Sequence, residues 1–146
     1  MLSKQKAINL LMRAPAEGVN VDGIRAVVAQ IYLDPAAWNQ NVYFGQSFMV
    51  PGRVAYCFAA WTCLLVGMDV EGMASGDGYL VHSAAQHMLG LTRKQANQIF
   101  WWGIGGDEHP TVEELRARIT EVTGVLFESA ELTYASWAEE LASVGC

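Results

Sequence analysis

The run Pro51-GRVAYCFAAWTCLLV-Gly67 decides how the chain folds. From Val54 to Val66 it carries no charge, and apolar side chains fall on every side of a helix drawn through it. A helix without a solvated face is one that other elements pack around. Its thirteen residues fall short of the ~20 that cross a bilayer, so the expectation is a central core helix that opens at Pro51-Gly52 and closes near Gly67.

Amphipathic segments lie on both sides of it. Upstream, Ile24, Val27, Val28, Ile31 and Tyr32 recur at helical spacing behind a cap at Asp22, and Asp34-Pro35 stops the pattern. A shorter helix from Ser3 to about Met12 is expected before it, ended by Pro15 and Gly18. Trp38 to Val50 has no clean period and reads as a turn with an irregular or short extended segment. Downstream, Gly72, Gly76 and Gly78 break up residues 69–81, and Ser75-Gly76-Asp77-Gly78 suits a turn, so a small β-hairpin is expected there. A helix from Ser83 to Leu89 ends at Gly90. Thr92 with Gln95, and Thr111 with Glu114, have capping-box spacing and start helices running to about Trp102 and to Gly124. Val112, Leu115, Ile119 and Val122 face inward on the second of these, and a last helix covers about Tyr134 to Ser143. The fold class is therefore mainly α, a compact multi-helix domain with one small hairpin, with α+β as the alternative.

Composition fits that reading. The chain has 146 residues, 52% of them hydrophobic and 16% charged, with no repeat and no linker, so residues 1–146 form one domain able to bury a core without staples. Cys57, Cys63 and Cys146 are an odd set with no CxxC, which fits a reducing compartment. With no secretory pattern in Met1 to Arg13, the expected location is cytoplasmic. The net charge of -6 is uneven: residues 107–146 hold nine acids against Arg116 and Arg118. Such acidity disfavours direct binding to nucleic-acid phosphates. It serves either solubility or a surface that meets a basic partner.

Several segments together, Ile31 through Trp38-Asn39-Gln40, Cys57-Phe58-Ala59-Ala60-Trp61, His87-Met88-Leu89-Gly90-Leu91-Thr92 and Thr111 through Leu115-Arg116, carry a resemblance. Taken in order they resemble a group of small uncharacterised proteins of actinobacteria and their phages. In that group a Trp-Asp/Asn-Gln stretch precedes a Cys-Gly-Thr-x-x-Cys motif and a Leu-Gly-Leu-Thr helix. Here Cys57 matches the second cysteine and Gly52 stands at the place of the first. The resemblance implies a phage or phage-derived origin and, by analogy with small acidic phage proteins, action by binding a host protein.

Four constellations carry candidate chemistry. Cys57 near a helix start with His82 as base is similar to the papain arrangement, Gln46 serving as an oxyanion donor; the plainer reading of Cys57 is a buried core residue. Trp38, Asn39, Gln40, Tyr43 and Gln46 mix aromatic rings with amides and could line a small-ligand or nucleotide pocket; the plainer reading is that the amides satisfy helix ends. Phe100, Trp101 and Trp102 cannot all face inward from one helix, so one tryptophan is expected on a surface, where with Glu113 and Glu114 it could meet a partner. Gly103-Ile104-Gly105-Gly106 follows a helix and not a strand, so it reads as a cap and loop, not a phosphate cradle.

His82, His87 and His109 lack metal-ligand spacing, and neither a metal nor a cofactor is expected. The expectation is a non-enzymatic protein that binds a host protein, with a Cys57/His82 hydrolase or transferase and a small-ligand binder as the alternatives. Exposed aromatics permit a homodimer without requiring one.

Overall fold

A computed structural model describes residues 9, 11, 18–40, 45–47, 49–77, 79–101 and 109–127. Helix α1 (Val21–Leu33) leads through a 3-10 turn (Pro35–Ala37) into a two-stranded antiparallel sheet, β1 (Gly45–Gln46) and β2 (Val54–Ala55). Five helices follow: α2 (Phe58–Leu65), α3 (Val70–Asp77), α4 (Tyr79–Leu89), α5 (Arg93–Phe100) and α6 (Val112–Thr123). The described chain is thus mainly helical with one small sheet. None of its helices is long and apolar enough to cross a membrane. The expected helix from Tyr134 to Ser143, the Gly103–Gly106 loop and most of the Ser3–Met12 segment lie outside the described residues.

Helix α2 is the centre, packed against α1, α3 and α4. Phe58, Ala59, Ala60, Thr62 and Cys63 are sealed from solvent on all sides of it. Thr62 is tolerated there because its hydroxyl donates to the Phe58 carbonyl (3.0 Å). Ile24, Val27, Val28 and Ile31 form the buried stripe that α1 lays against this core. Full burial of each such side chain stabilises by about 1.5–3 kcal/mol.

The boundaries differ from the sequence expectation at three places. Asn20, not Asp22, caps α1: its Oδ1 accepts the Gly23 N–H (2.9 Å), and Asp22 sits in the first turn. The central helix starts at Phe58, not at Pro51-Gly52, because the preceding residues have other partners. Val54 and Ala55 pair with Gln46 and Gly45. The Tyr56 N–H donates to the Ala37 carbonyl (2.9 Å), and the Asn39 N–H donates to the Tyr56 carbonyl (3.0 Å). The strand pair accordingly lies at Gly45–Gln46 and Val54–Ala55, and the segment expected as a hairpin is occupied instead by α3 (Val70–Asp77) and the start of α4, which begins at Tyr79, before the expected Ser83. There Asp69 Oδ1 accepts the Gly72 N–H (3.1 Å) at the start of α3, and Val70, Val81 and Ala85 are buried. That packing outweighs the roughly 1 kcal/mol that each glycine costs a helix interior.

The other signals hold. Both capping boxes are formed, Thr92 with Gln95 and Thr111 with Glu114. Gly124 closes α6 in the left-handed conformation (φ 78°). Val112, Leu115 and Ile119 are buried, and Val122 is half-buried.

Candidate functional site

The Trp38–Gln40 segment is a sealed junction. Gln40 is 1% exposed, and its side-chain amide joins two helix ends. Its Oε1 accepts the Phe58 N–H that opens α2 (3.1 Å) and the Trp38 Nε1–H (3.1 Å). Its Nε2 donates to the Ile99 and Phe100 carbonyls that close α5 (3.1 and 3.2 Å). Its backbone N–H donates to Nε2 of His109 (2.8 Å), whose ring stands edge-on to Trp38 at 4.5 Å. Asn39 Nδ2 donates to the Gln46 carbonyl (2.7 Å), tying the segment to β1. These amides satisfy helix ends and strand edges, the structural role weighed above against a ligand role. Tyr43 lies outside the described residues.

Cys57 is the N-cap of α2, its Sγ accepting the Ala60 N–H at 3.4 Å. A helix start favours a thiolate, but the side chain is buried, and desolvation pushes the thiol up to about 11. At neutral pH the side chain is therefore held as the unreactive thiol. His82 is likewise buried. Its ring packs on Phe100 (5.0 Å) and edge-on to Trp101 (4.6 Å), and burial lowers it to about 4. Neither group is poised for chemistry at neutral pH. Among the described residues no cluster of His, Cys, Asp or Glu could hold a metal ion.

Among the described residues, a site with ligand-binding character includes Trp101. Trp101 ends α5, propped by His82, and is 48% exposed. It lines an open cleft of about 610 Å³ with Arg93, Lys94, Asn97 and Gln98 of the same helix and Arg118 of α6. The spacing explains the face: 93/94, 97/98 and 101 step along α5 by four residues, one row of its outer surface. Arg118 reaches it because α6 packs on α5, with its Nε donating to the Gln98 carbonyl (3.0 Å) and its Nη1 3.5 Å from Glu121. Among the described residues Arg93 and Lys94 have no ion-pair partner.

The cleft thus gathers three of the chain's nine cations, although the protein carries a net charge of -6. The sequence places at least one of Trp101 and Trp102 on a partner surface together with Glu113 and Glu114. The structure uses those two acids elsewhere: Glu113 accepts the Tyr32 hydroxyl (2.6 Å), and Glu114 completes its capping box. Trp102 lies outside the described residues. The cations were missed because Arg93-Lys94 reads as the opening of an ordinary helix and Arg118 as a minority charge in the acidic third. Comparison of the chain with known protein families, characterised proteins and solved structures gives no match.

His82 also sets a pH dependence. Its pKa is about 4 when folded against an ordinary 6.5 when unfolded. Between these values the unfolded chain binds the proton and the folded one does not, so stability present above pH 6.5 is lost as pH falls toward 4. Denaturant titrations at pH 7 and 4.5 should show His82→Gln losing less stability than the wild type over that interval. An equal loss would remove His82 as the cause.

Proposed function

We propose that this chain acts by binding another protein, without catalysis of its own, through the surface around Trp101. The observation that carries this reading is the half-exposed indole of Trp101, backed by His82 and set in a cleft of polar and cationic side chains. Tryptophan and arginine dominate the energetic centres of protein interfaces. An indole held edge-on by a buried ring is already positioned, so binding costs little ordering entropy. The sequence resemblance to small proteins of actinobacteria and their phages supports a host protein as the partner and a cytoplasmic setting. The high thiol pKa of Cys57 and the burial of His82 favour this reading over a hydrolase.

The test compares what immobilised wild type and Trp101→Ala retain from actinobacterial host lysate. Trp101 is a surface residue, so the variant should keep its fold by circular dichroism. A protein retained by the wild type, and reduced at least tenfold on the variant, is the expected result. Equal retention by both would refute binding through Trp101.

A further inference from the structure

We infer that the Arg93–Lys94–Trp101–Arg118 cleft takes a short acidic segment of a partner polypeptide, two or three carboxylates beside one large apolar side chain. The inference rests on the binding reading above and adds the chemistry of what is bound.

Charge comes first. Arg93 and Lys94 stand one turn of α5 before Asn97 and Gln98, and the three cations approach the cleft from two helices. Of the three, Arg93 and Lys94 have no ion-pair partner among the described residues; like charges gathered this way repel one another, and an anion seated among them removes that repulsion. The Gln98 carbonyl and Glu121 engage only part of the Arg118 guanidinium, so the rest of its fork remains to meet a carboxylate.

Shape comes second. One wall is the Trp101 ring, a flat apolar surface suited to a Leu, Met or aromatic side chain. Along α5, Asn97 and Gln98 lie between Trp101 and the Arg93–Lys94 pair, and their amides both donate and accept. That combination suits a peptide backbone, which offers alternating N–H and C=O groups.

The length of the occupant follows from the rest of the molecule. Fifteen acids against nine basic residues leave the chain net negative, and three of the nine lie in this cleft. A long polyanion would extend past the cations and meet that negative field, whereas a short acidic segment ends where the positive charge does. This favours a peptide over a single-stranded nucleic acid, which would also use one stacking ring after another along its length.

The probe is a fluorescein-labelled peptide amide of sequence Gly-Asp-Glu-Phe-Asp-Gly, followed by anisotropy at 50 and 200 mM NaCl. Saturable binding is expected, weakened by added salt. Arg93→Glu/Lys94→Glu and Trp101→Ala should each reduce affinity at least tenfold, and replacing the peptide's acids by their amides should do the same. Two further arms separate the alternatives. If a ten-nucleotide oligothymidylate binds more tightly than the peptide and depends on the same residues, the peptide assignment is overturned in favour of nucleic acid. If the protein self-associates in sedimentation and Arg93→Glu/Lys94→Glu abolishes it, the occupant is another copy and the assignment also falls.

The lysate experiment tells the two levels apart. Retention that needs Trp101 but is unchanged in Arg93→Glu/Lys94→Glu keeps the binding surface and overturns the acidic chemistry. Retention indifferent to Trp101 overturns both.

Discussion

Gln40→Leu should lower the denaturation midpoint sharply, by about 3–5 kcal/mol in stability. The side chain is 1% exposed and serves four buried groups at once. Leucine has nearly the same volume, so the loss does not come from a cavity. It comes from the Phe58 N–H and Trp38 Nε1–H left without an acceptor and from two carbonyls left without this donor, each a desolvated polar group.

Gln40→Glu separates the two halves of the role. It keeps the acceptor for Phe58 and Trp38 but points a second oxygen at the Ile99 and Phe100 carbonyls. The carboxyl can satisfy one of them only as the protonated O–H, so its folded pKa rises above the unfolded value of about 4.3. Stability is then fullest below pH 4.3 and is lost as pH rises through the folded pKa. Chemical denaturation at pH 5 and pH 8 should show the gap between wild type and variant widening with pH. A gap independent of pH would mean the glutamate ionises freely, and the junction would not be sealed.

Gly90→Ala is the second large effect. Gly90 follows α4 with φ 65°, and a Cβ there would lie 2.1 Å from the Gly18 carbonyl oxygen and 3.2 Å from the Asn20 nitrogen. Both are backbone atoms, and the segment cannot retreat: the Asn20 N–H donates to the Leu89 carbonyl (2.8 Å), and its side chain donates to the Met88 carbonyl (3.0 Å). Relief would break the contact between the end of α4 and the start of α1. A loss of at least about 3 kcal/mol is expected from clash and left-handed strain together. Gly124→Ala supplies the control, since its φ is 78° but a Cβ meets nothing within 4 Å. It should cost only the strain, about 1 kcal/mol. Urea titrations of the two variants side by side measure the clash as their difference, and equal losses would show that the α4–α1 approach is looser than 2.1 Å implies.

What was legible in the sequence is what local chemistry controls. The apolar stripe of α1, both capping boxes and the glycines closing α4 and α6 depend on residues within one or two turns of each other, and all are present. The hairpin position was illegible because it depends on distant partners. Ser75-Gly76-Asp77 has turn composition yet is helical under the packing of Val70, whereas the actual strands are two residues each, too short to leave a period. The start of α2 was hidden for a related reason: its cap is Cys57, a residue type outside the usual cap set. The candidate site divides the same way. A surface position for at least one of Trp101 and Trp102 was legible, because three successive aromatics cannot share one helix face. The association of Trp101 with Arg118 arises only when α6 lies on α5, seventeen residues later in the chain.

The burial of Cys57 and Cys63 on α2 also bears on oxidative damage. Cys63 donates its S–H to the Val81 carbonyl at 3.5 Å, and burial pushes its thiol up to about 12, beyond even Cys57. Peroxides and disulfide reagents attack thiolates, so the folded chain offers them almost nothing at these two positions. Both sulfurs become reactive only when the central helix leaves its neighbours. Oxidation at these positions would therefore record how often the core has opened, and would trap open molecules in that state, since a sulfinic acid could not return to a cavity built for a thiol.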